Sequence, residues 1–398
     1  MKTIGILGGG QLGKMTCHAA ADWHWPVHIL DKSRDFPAAP YATHFVEGDF
    51  RRSEDVLAFG RSVDVLTIEI ESVNTEALHQ LVAEGKEVYP QPHVIDLIKD
   101  KGTQKEFLAK HELATSPFEL CDQSRLISLQ EKLRDFDLLE TSPPAEVQEK
   151  VANGEWTFPF VQKARTGGYD GRGVHIVRSE KDLENLLPGP CLIEKMADID
   201  KELAVVVARD ANGQIRAFPC VEMVFHPTAN LLEYQLCPAR INGDTQDRAT
   251  DLAIRTAEAF GIVGLLAVEL FLNKDGSIWV NEVAPRPHNS GHHTIEACVT
   301  SQYQQLLRIL TGLPMGDTDM RHPSAMANVL GAEGHTGPTH YDGLDGVMGS
   351  PAVFMHLYGK TTTKPFRKMG HLTALGDTLE QAEERVKAAR DSLRVITR

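Results

Sequence analysis

Two glutamates in consecutive apolar segments form the first pair of residues in this chain that could do chemistry together. Glu269 lies in residues 265–272 and Glu282 in residues 278–283, and both apolar runs have the length of buried strands. The Asp-Gly dipeptide between them favours a two-residue hairpin turn. Counting back from that turn places the two carboxylates directly opposite each other, which is destabilising for like charges. A Mg²⁺ ion between them would remove the penalty, because it prefers carboxylates and phosphate oxygens.

The alternative is that one or both glutamates of this hairpin face solvent. Asn281 precedes Glu282, and the pleat of a strand predicts that its side chain lies on the opposite face. If the carboxylates do face each other, replacing either one by Gln should cost the metal-free protein no stability. Catalysis should nevertheless collapse, because the metal would lose a ligand.

A glycine-rich loop joins two further predicted strands, residues 158–163 and 174–177. Four glycines and three basic residues fall within residues 163–173. Backbone N–H groups of such a loop can cradle phosphates, and Lys163 before it can place a point charge on one. The spacing does not follow G-x-x-x-x-G-K-[ST], so no Walker P-loop is predicted. A solvated hairpin tip is the alternative.

A polar run, residues 284–294, follows the glutamate hairpin directly. Arg286 suits bidentate contact with phosphate or carboxylate. A small polar substrate could also be hydrogen-bonded by His288, Asn289 and Ser290. Two adjacent histidines close the run, but no further Cys or Asp has the spacing of a zinc site. A polar loop without function is the alternative.

The N-terminal glycine loop matches the dinucleotide-binding fingerprint. Gly8, Gly10 and Gly13 fit G-x-G-x-x-G between a strand and a helix, and Asp31 ends the next predicted strand. A helix N-terminus attracts phosphate. Three interpretations stay open: a nicotinamide or flavin dinucleotide, another phosphate-bearing ligand, or a structural tight turn.

These motifs need elements to position them, and the chain predicts two patterns. The first hundred residues alternate strands with helices, which is typical of a parallel α/β sheet; the predicted elements are strands 4–7, 27–31, 43–46 and 63–68 and helix 11–21. After residue 101 the order is irregular. The elements predicted there are helices 101–111, 179–187, 247–260, 301–311 and 379–393, with strands 191–194 and 352–357.

Composition limits the function classes. A net charge of −14 argues against bulk electrostatic binding to nucleic acid or anionic lipid. Against that background, residues 364–371 are basic, and a phosphate clamp and a solvated patch are both open. The six cysteines are dispersed without C-x-x-C, which fits a reducing compartment. We expect a cytoplasmic protein, because no signal sequence or membrane span is predicted.

The motifs together resemble the 5-(carboxyamino)imidazole ribonucleotide synthetase family of purine biosynthesis. The matching segments are GGGQLGKM at 8–15, KARTGGYDGRG at 163–173, VNEVAPRPHNSGHHT at 280–294 and KPFRKMGHLT at 364–373. The resemblance implies an α/β and α+β multidomain chain: a Rossmann-like domain (1–100), an ATP-grasp domain (101–314, with a lid at about 115–195) and a C-terminal domain (315–398). It also implies a homodimer that uses ATP, Mg²⁺, bicarbonate and aminoimidazole ribonucleotide.

The resemblance also implies a role for individual residues. Lys101 and Lys163 would contact ATP phosphates, with Asn281 nearby, and Glu269 and Glu282 would hold Mg²⁺. The loop closing over the phosphates would be Gly168, Tyr169, Asp170, Gly171, Arg172 and Gly173. Adenosine would meet Glu194, Ala197 and Glu202. The nucleotide substrate would meet Gln11, Leu12, Glu71, Tyr169, Arg172, Arg286, His288 and Asn289, and its phosphate Lys364, Arg367 and Lys368. The residues implied in catalysis are Lys163, Tyr169, Arg172, Arg286, His288 and Asn289.

Several rival functions explain part of these motifs. A dinucleotide-dependent oxidoreductase accounts for the N-terminal loop but leaves the paired glutamates unexplained. Within the ATP-grasp enzymes, a formate-using glycinamide ribonucleotide transformylase and a biotin carboxylase are closer rivals. A non-catalytic nucleotide-binding module would not need both Glu269 and Glu282. Dependence on bicarbonate, formate or biotin separates these classes.

Overall fold

The computed structural model describes residues 1–121, 145–167, 173–225 and 232–398. These residues form a parallel N-terminal sheet, a four-stranded antiparallel sheet and a nine-stranded sheet, with two short two-stranded ribbons. This architecture confirms the predicted α/β and α+β multidomain fold class. Within these ranges, every helix is too short or too polar to cross a bilayer.

The N-terminal sheet is parallel, with strand order β3-β2-β1-β4-β5. Its strands are β1 (Ile4–Leu7), β2 (Val27–Asp31), β3 (His44–Glu47), β4 (Val65–Ile68) and β5 (Glu87–Val88). Its helices are α1 (Gln11–Ala21), α2 (Ser53–Arg61), α3 (Thr75–Ala83) and α4 (Pro92–Ile98). The strand order reverses between β1 and β4, so the loops that leave their carboxyl ends share one crevice. The glycine loop after β1 therefore meets the acidic segment after β4.

The lid is a four-stranded antiparallel sheet of order β6-β9-β7-β8. Its elements are β6 (Phe118–Cys121), α6 (Ala145–Ala152), β7 (Phe160–Ala164), β8 (Val174–Val177) and β9 (Cys191–Lys195), with a 3-10 turn at Glu180–Asn185 where a helix was predicted. Buried Phe160, Val177 and Ile193 form part of its own small core. Helix α5 (Lys101–Lys110) leads into this sheet from the N-terminal domain.

The nine-stranded sheet runs β15-β14-β10-β12-β13-β16-β21-β19, and β11 pairs with β10. Its strands are β10 (Ile199–Arg209), β11 (Ile215–Ala217), β12 (Val221–Phe225), β13 (Leu232–Cys237), β14 (Gly264–Asn273), β15 (Ile278–Ala284), β16 (Ser324–Leu330), β19 (Val353–Leu357) and β21 (Lys368–Leu375). Its helices are α7 (Gly243–Phe260), α8 (Thr294–Ala297), α9 (Gln302–Thr311), α10 (Leu344–Met348) and α11 (Leu379–Ser392). The ribbons are β17 (Gly337–Pro338) with β20 (Thr362–Thr363), and β18 (His340–Asp342) with β22 (Arg394–Ile396).

Packing leaves only part of one face of the β10–β14–β15 segment for chemistry, because helix α9 covers the rest of that face. Helix α7 covers the other face, where Leu203, Val205 and Val268 join one buried core with the helix. Strand residues alternate between faces, so Glu202 and Glu269 project away from α7. The C-terminal strands β16 and β21 extend this same sheet through β13, so the C-terminal segment is continuous with it.

Candidate active site

The glutamate hairpin has the predicted pairing but a different turn. Glu269 and Glu282 are direct cross-strand partners. The predicted two-residue turn is wrong: Asn273 N donates to Ser277 O at 2.8 Å, which leaves a three-residue loop with Gly276 in the left-handed region (φ 82°). That loop shifts the register by one residue. A bulge between Glu269 and Leu270 shifts it back, so the carboxylates still meet.

The bulge also corrects the expected orientation of Asn281. A bulge sets two residues of one strand against a single partner residue and breaks the regular alternation of side chains. Both Asn281 and Glu282 are consequently half-buried on the same face. Asn281 Oδ1 accepts a hydrogen bond from Lys163 Nζ at 2.9 Å. Asn281 therefore lies in the site rather than behind it.

The pKa values of the two glutamates are shifted in opposite directions. Burial, together with Glu282 and Glu202, raises the pKa of Glu269 to about 8. Burial also works to raise the pKa of Glu282, but the paired ammonium of Lys101 outweighs it and lowers that pKa to about 2. His288 Nε2 stands 3.5 Å from Glu269 Oε1. In the metal-free site, Glu269 is therefore the carboxyl group that resists ionisation, and Glu282 is the one that Lys101 holds ionised.

This donor set suits Mg²⁺ bound together with phosphates. No group of three or more potential protein ligands occurs among the described residues. Mg²⁺ characteristically uses one or two carboxylates plus substrate phosphate oxygens and keeps several waters. The two facing carboxylates match that requirement better than they match a site made of protein ligands alone. Ionised Glu269 in particular would be stabilised by a bound cation.

Lys101 and Lys163 are brought together by a contact between the lid and helix α5. Asp100 caps α5 by accepting from Gly102 N at 2.7 Å and from Thr103 N at 3.1 Å. Its carboxylate also accepts from Arg165 Nε at 3.0 Å, and Arg165 directly follows the lid strand that carries Lys163. Both lysines consequently reach the β15 edge, where Lys101 pairs with Glu282 and Lys163 contacts Asn281.

Lys163 belongs to a buried group of three charged residues, in which Glu194 contacts both Lys163 and Lys105. The side chain of Glu194 is only 3% exposed and lies between Lys163 and Lys105, with Lys105 Nζ at 3.0 Å. Burial raises the pKa of Glu194, but the two ammonium groups outweigh it and lower that pKa. Burial lowers the pKa of Lys105 to about 8. The adenine role expected for Glu194 stays a prediction, while its observed partners are the two lysines.

Lys105 was missed at the sequence level. The signal was its spacing: it lies four residues after Lys101 on one helix, so the two side chains share a face.

Two further residues were predicted to meet adenosine. Glu202 lies on β10 opposite Phe271, and burial raises its pKa to about 7. Ala197 is half-buried in the connection between β9 and β10.

The polar run places its side chains beside the N-terminal domain. Arg286 Nε lies 2.8 Å from Glu71 Oε1, across the crevice at the end of β4. His288 Nδ1 lies 2.9 Å from Ser290 Oγ, and Asn289 opens a short 3-10 turn. Gln11 and Leu12 begin α1 on the other side of the crevice. The structure therefore brings together residues that are far apart in sequence and that were predicted to meet the substrate.

The basic C-terminal segment is only partly directed at the site. Lys368 is close enough to Glu269 to oppose the rise of its pKa. Arg367 Nη1 instead donates to Thr362 O at 2.7 Å, and Lys364 is exposed. Of the lid loop, Gly173 is described and its carbonyl accepts from Ala164 N at 2.8 Å. Lying outside the described residues are Gly168, Tyr169, Asp170, Gly171 and Arg172.

The N-terminal glycine loop is filled by the protein's own carboxylates. Glu69 accepts hydrogen bonds from the N–H groups of Gly10 and Gly13, each at 2.6 Å, and Asp31 accepts from Gly9 N at 2.7 Å. A carboxylate thus stands where a dinucleotide would place its phosphate. Glu69 was missed, although its place just after β4 put it at the same crevice. The structure favours the tight-turn interpretation of this motif.

Comparisons with known proteins agree with this geometry. Three family models match the chain: a ribonucleotide synthetase preATP-grasp domain at 1–99, an ATP-grasp domain at 106–303 and a phosphoribosylaminoimidazole carboxylase C-terminal domain at 324–385. The N5-carboxyaminoimidazole ribonucleotide synthase of Bacillus subtilis is 34% identical, covering 93% of this chain and 90% of the relative. The phosphoribosylaminoimidazole carboxylase of Ogataea methanolica is 37% identical over 97% of this chain but only 68% of the relative, and this chain covers 65% of the Vigna aconitifolia relative.

Solved structures give the same result. The N5-carboxyaminoimidazole ribonucleotide synthetase of Thermotoga maritima superposes with a TM-score of 0.86 at 38% identity and full coverage of both chains. The Aspergillus clavatus synthase in complex with ADP and aminoimidazole ribonucleotide superposes at 0.83, with 31% identity over 98% of each chain. The chain therefore belongs to the N5-carboxyaminoimidazole ribonucleotide synthetase family, and it is an ATP-dependent ligase of the ATP-grasp type in purine biosynthesis.

Proposed function

We propose that this chain uses ATP to carboxylate the exocyclic amine of aminoimidazole ribonucleotide with bicarbonate, releasing ADP and phosphate. The observation that carries the proposal is the convergence on one hairpin of both halves of such a site. Lys101 and Lys163 lie on its lid side, and Arg286 and His288 lie on the side of the N-terminal crevice. The paired Glu269 and Glu282 stand between them.

The first step is phosphoryl transfer. Bicarbonate is a poor electrophile, so one of its oxygens attacks the γ-phosphorus of ATP while the bond to the ADP oxygen breaks, giving carboxyphosphate. Lys101 and Lys163 bind phosphate oxygens and neutralise charge there. Glu269 and Glu282 would hold Mg²⁺, which supplies further neutralisation of the polyphosphate when bound.

The second step forms the carbon–nitrogen bond. The exocyclic amine attacks the carboxyl carbon, either of carboxyphosphate or of CO₂ released from it, and the bond from carbon to the phosphate oxygen breaks. The nitrogen gives up a proton, which the departing phosphate can accept. Arg286, Glu71, His288 and Asn289 would hold the nucleotide with its amine toward the hairpin. Its phosphate would meet the basic segment at Lys364, Arg367 and Lys368.

The metal, the assembly and the domain limits belong to the same proposal. Mg²⁺ is supported by the facing carboxylates, and a homodimer and the cytoplasm by the resemblance of the motifs. The limits 1–100, 101–314 and 315–398 are supported by the sheets, since the parallel sheet ends at β5 and α5 begins at Lys101.

Substrate dependence of ATP turnover tests the reaction. Purified protein with Mg²⁺ and ATP should release phosphate rapidly only when aminoimidazole ribonucleotide and bicarbonate are both present. Parallel assays should contain formate with glycinamide ribonucleotide, and bicarbonate with biotin. Equal turnover in either parallel assay would refute the proposal in favour of the corresponding rival.

A further inference from the structure

Gln302 holds the backbone of His288 from a helix outside the site. It is the first residue of α9 and is fully buried. Its Oε1 accepts from His288 N at 2.9 Å, and its Nε2 donates to His288 O at 2.9 Å. One side-chain amide therefore satisfies both polar groups of a single backbone residue, as a neighbouring strand would.

The surrounding loop is built to keep Gln302 in this position. Gln302 N donates to Thr294 Oγ1 at 2.9 Å, and that hydroxyl donates to Gly291 O at 2.6 Å. A Cβ on Gly291 would stand 2.6 Å from Cδ of Gln302, closer than real Cβ atoms approach other heavy atoms. A side chain at residue 291 would therefore force the amide of Gln302 to move.

Ser301 fixes the start of helix α9 and, with it, the position of the amide. The Ser301 hydroxyl accepts from Gln304 N at 3.2 Å, and Gln304 Oε1 accepts from Ser301 N at 3.0 Å, which completes a capping box. Gln302 thus projects from a rigid helix end rather than from a loop. Rigid elements hold functional groups more precisely than loops do.

We propose that Gln302 is a positioning residue that sets where the imidazole of His288 meets the nucleotide substrate. This inference rests on the proposed function, because it needs His288 to contact that substrate. Once its backbone is held, the His288 ring keeps Nδ1 on Ser290 Oγ, at 2.9 Å, and Nε2 directed toward Glu269. Without Gln302, the buried N–H of His288 would lose its partner and the carbonyl would keep only Gly291 N, at 3.0 Å, so the loop would shift to satisfy the N–H.

The same helix carries a matched control. Gln305 is also fully buried, and its amide makes the same two-way contact with a backbone residue: Oε1 accepts from Gly316 N at 2.8 Å, and Nε2 donates to Gly316 O at 3.1 Å. Gly316 lies in the connection after α9, and the residues that it is shown to contact, Gln305 and Thr300, are not among those of the proposed site. Gln302 and Gln305 therefore differ mainly in which loop they hold.

The test compares Gln302→Met with Gln305→Met, since Met keeps most of the volume and removes both hydrogen bonds. Both variants should lose a similar amount of thermal stability. Only Gln302→Met should raise KM for aminoimidazole ribonucleotide, by about tenfold or more, because small misplacements of binding groups have effects of that size. KM for ATP should change less than twofold in both. Identical kinetics for the two variants, or equal changes in both KM values for Gln302→Met, would overturn the proposal.

Gly291→Ala gives a second test if Gln302→Met does not fold. The added methyl group would collide with the amide of Gln302 and displace it. This variant should therefore also raise KM for aminoimidazole ribonucleotide selectively. A folded Gly291→Ala enzyme with wild-type KM would count against the proposal. Failure of the proposed function would look different: the wild-type protein itself would show no ATP turnover stimulated by aminoimidazole ribonucleotide.

Discussion

Replacing the two facing glutamates by Gln should have opposite effects on the stability of the metal-free protein. The sequence alone predicted no loss for either, because each change removes one of two like charges. The structure distinguishes them, since Lys101 pairs with Glu282, whereas burial and the nearby carboxylates of Glu282 and Glu202 raise the pKa of Glu269. Glu269→Gln should therefore stabilise the metal-free protein, and Glu282→Gln should destabilise it.

The gain in stability expected for Glu269→Gln follows from the pKa of Glu269. The folded protein retains this proton up to about pH 8, whereas the unfolded chain releases it near 4.5. Stability is therefore lost as the pH rises through that interval and is level above it. At about 1.4 kcal/mol per pH unit the loss cannot exceed about 5 kcal/mol, and ordinary cross-strand repulsion sets a lower value of about 1 kcal/mol. Glu269→Gln should recover this amount at pH 8 and almost none at pH 4.5.

The loss of stability expected for Glu282→Gln follows from the ion pair between Glu282 and Lys101. Its pKa of about 2 means that the ionised form stabilises the fold above the ordinary value of 4.5, and that this contribution is lost as the pH falls toward 2. Glu282→Gln leaves the Lys101 ammonium, whose side chain is 20% exposed, without its carboxylate. A half-buried pair lies between exposed and buried cases, so we expect a cost of about 1–2 kcal/mol at neutral pH.

Thermal melts in EDTA between pH 4.5 and 8 measure both effects, with ATP turnover in Mg²⁺ measured alongside. Both variants should lose turnover by orders of magnitude, because each removes a metal carboxylate. Glu269→Asn would serve as a control for shape, since it is neutral but too short to reach the same position. Melting shifts of the same sign in both Gln variants at pH 8 would refute the charge assignment. An active Glu282→Gln enzyme would end the metal-site hypothesis.

Two other changes follow from the same geometry. Lys163→Ala should lower turnover at least a hundredfold while the protein stays folded, because Glu194 keeps its second lysine partner and the ATP phosphates lose a charge; a near-normal rate would mean that this lysine only packs the lid. NADH should show no binding in the micromolar range by calorimetry, since Glu69 and Asp31 already occupy the loop N–H groups; a micromolar dissociation constant would contradict this.

The strands of the N-terminal sheet were predictable because local signals specify them. The run Ile4–Leu7 is wholly buried and ends at glycine, and Val27–Asp31 has the bounds that were predicted. The pairing of Glu269 with Glu282 was also predicted, but through two deviations that cancel. The three-residue turn moves the register one way and the bulge at Asn281 moves it back, and no local propensity announces that bulge.

Contacts between distant segments could not be predicted in the same way. Glu69 meets a glycine loop that lies more than fifty residues earlier, so the motif looked available to phosphate. The fingerprint reports the shape of the loop and not what fills it. The Lys105–Glu194 contact likewise joins α5 to the lid, and only the packed fold brings the two together.

The most direct test of ATP-driven carboxylation follows an oxygen atom from bicarbonate. In the proposed route, a bicarbonate oxygen bonds to the γ-phosphorus and stays with phosphate when the bond to carbon breaks. The reaction contains ¹⁸O-bicarbonate, ATP, aminoimidazole ribonucleotide and the wild-type protein, and it is stopped before the bicarbonate exchanges its label with water. The phosphate released should carry one ¹⁸O per turnover, measured by ³¹P NMR. Phosphate formed at the same rate with oxygen only from water would contradict the account, because ATP would then be hydrolysed without activating bicarbonate.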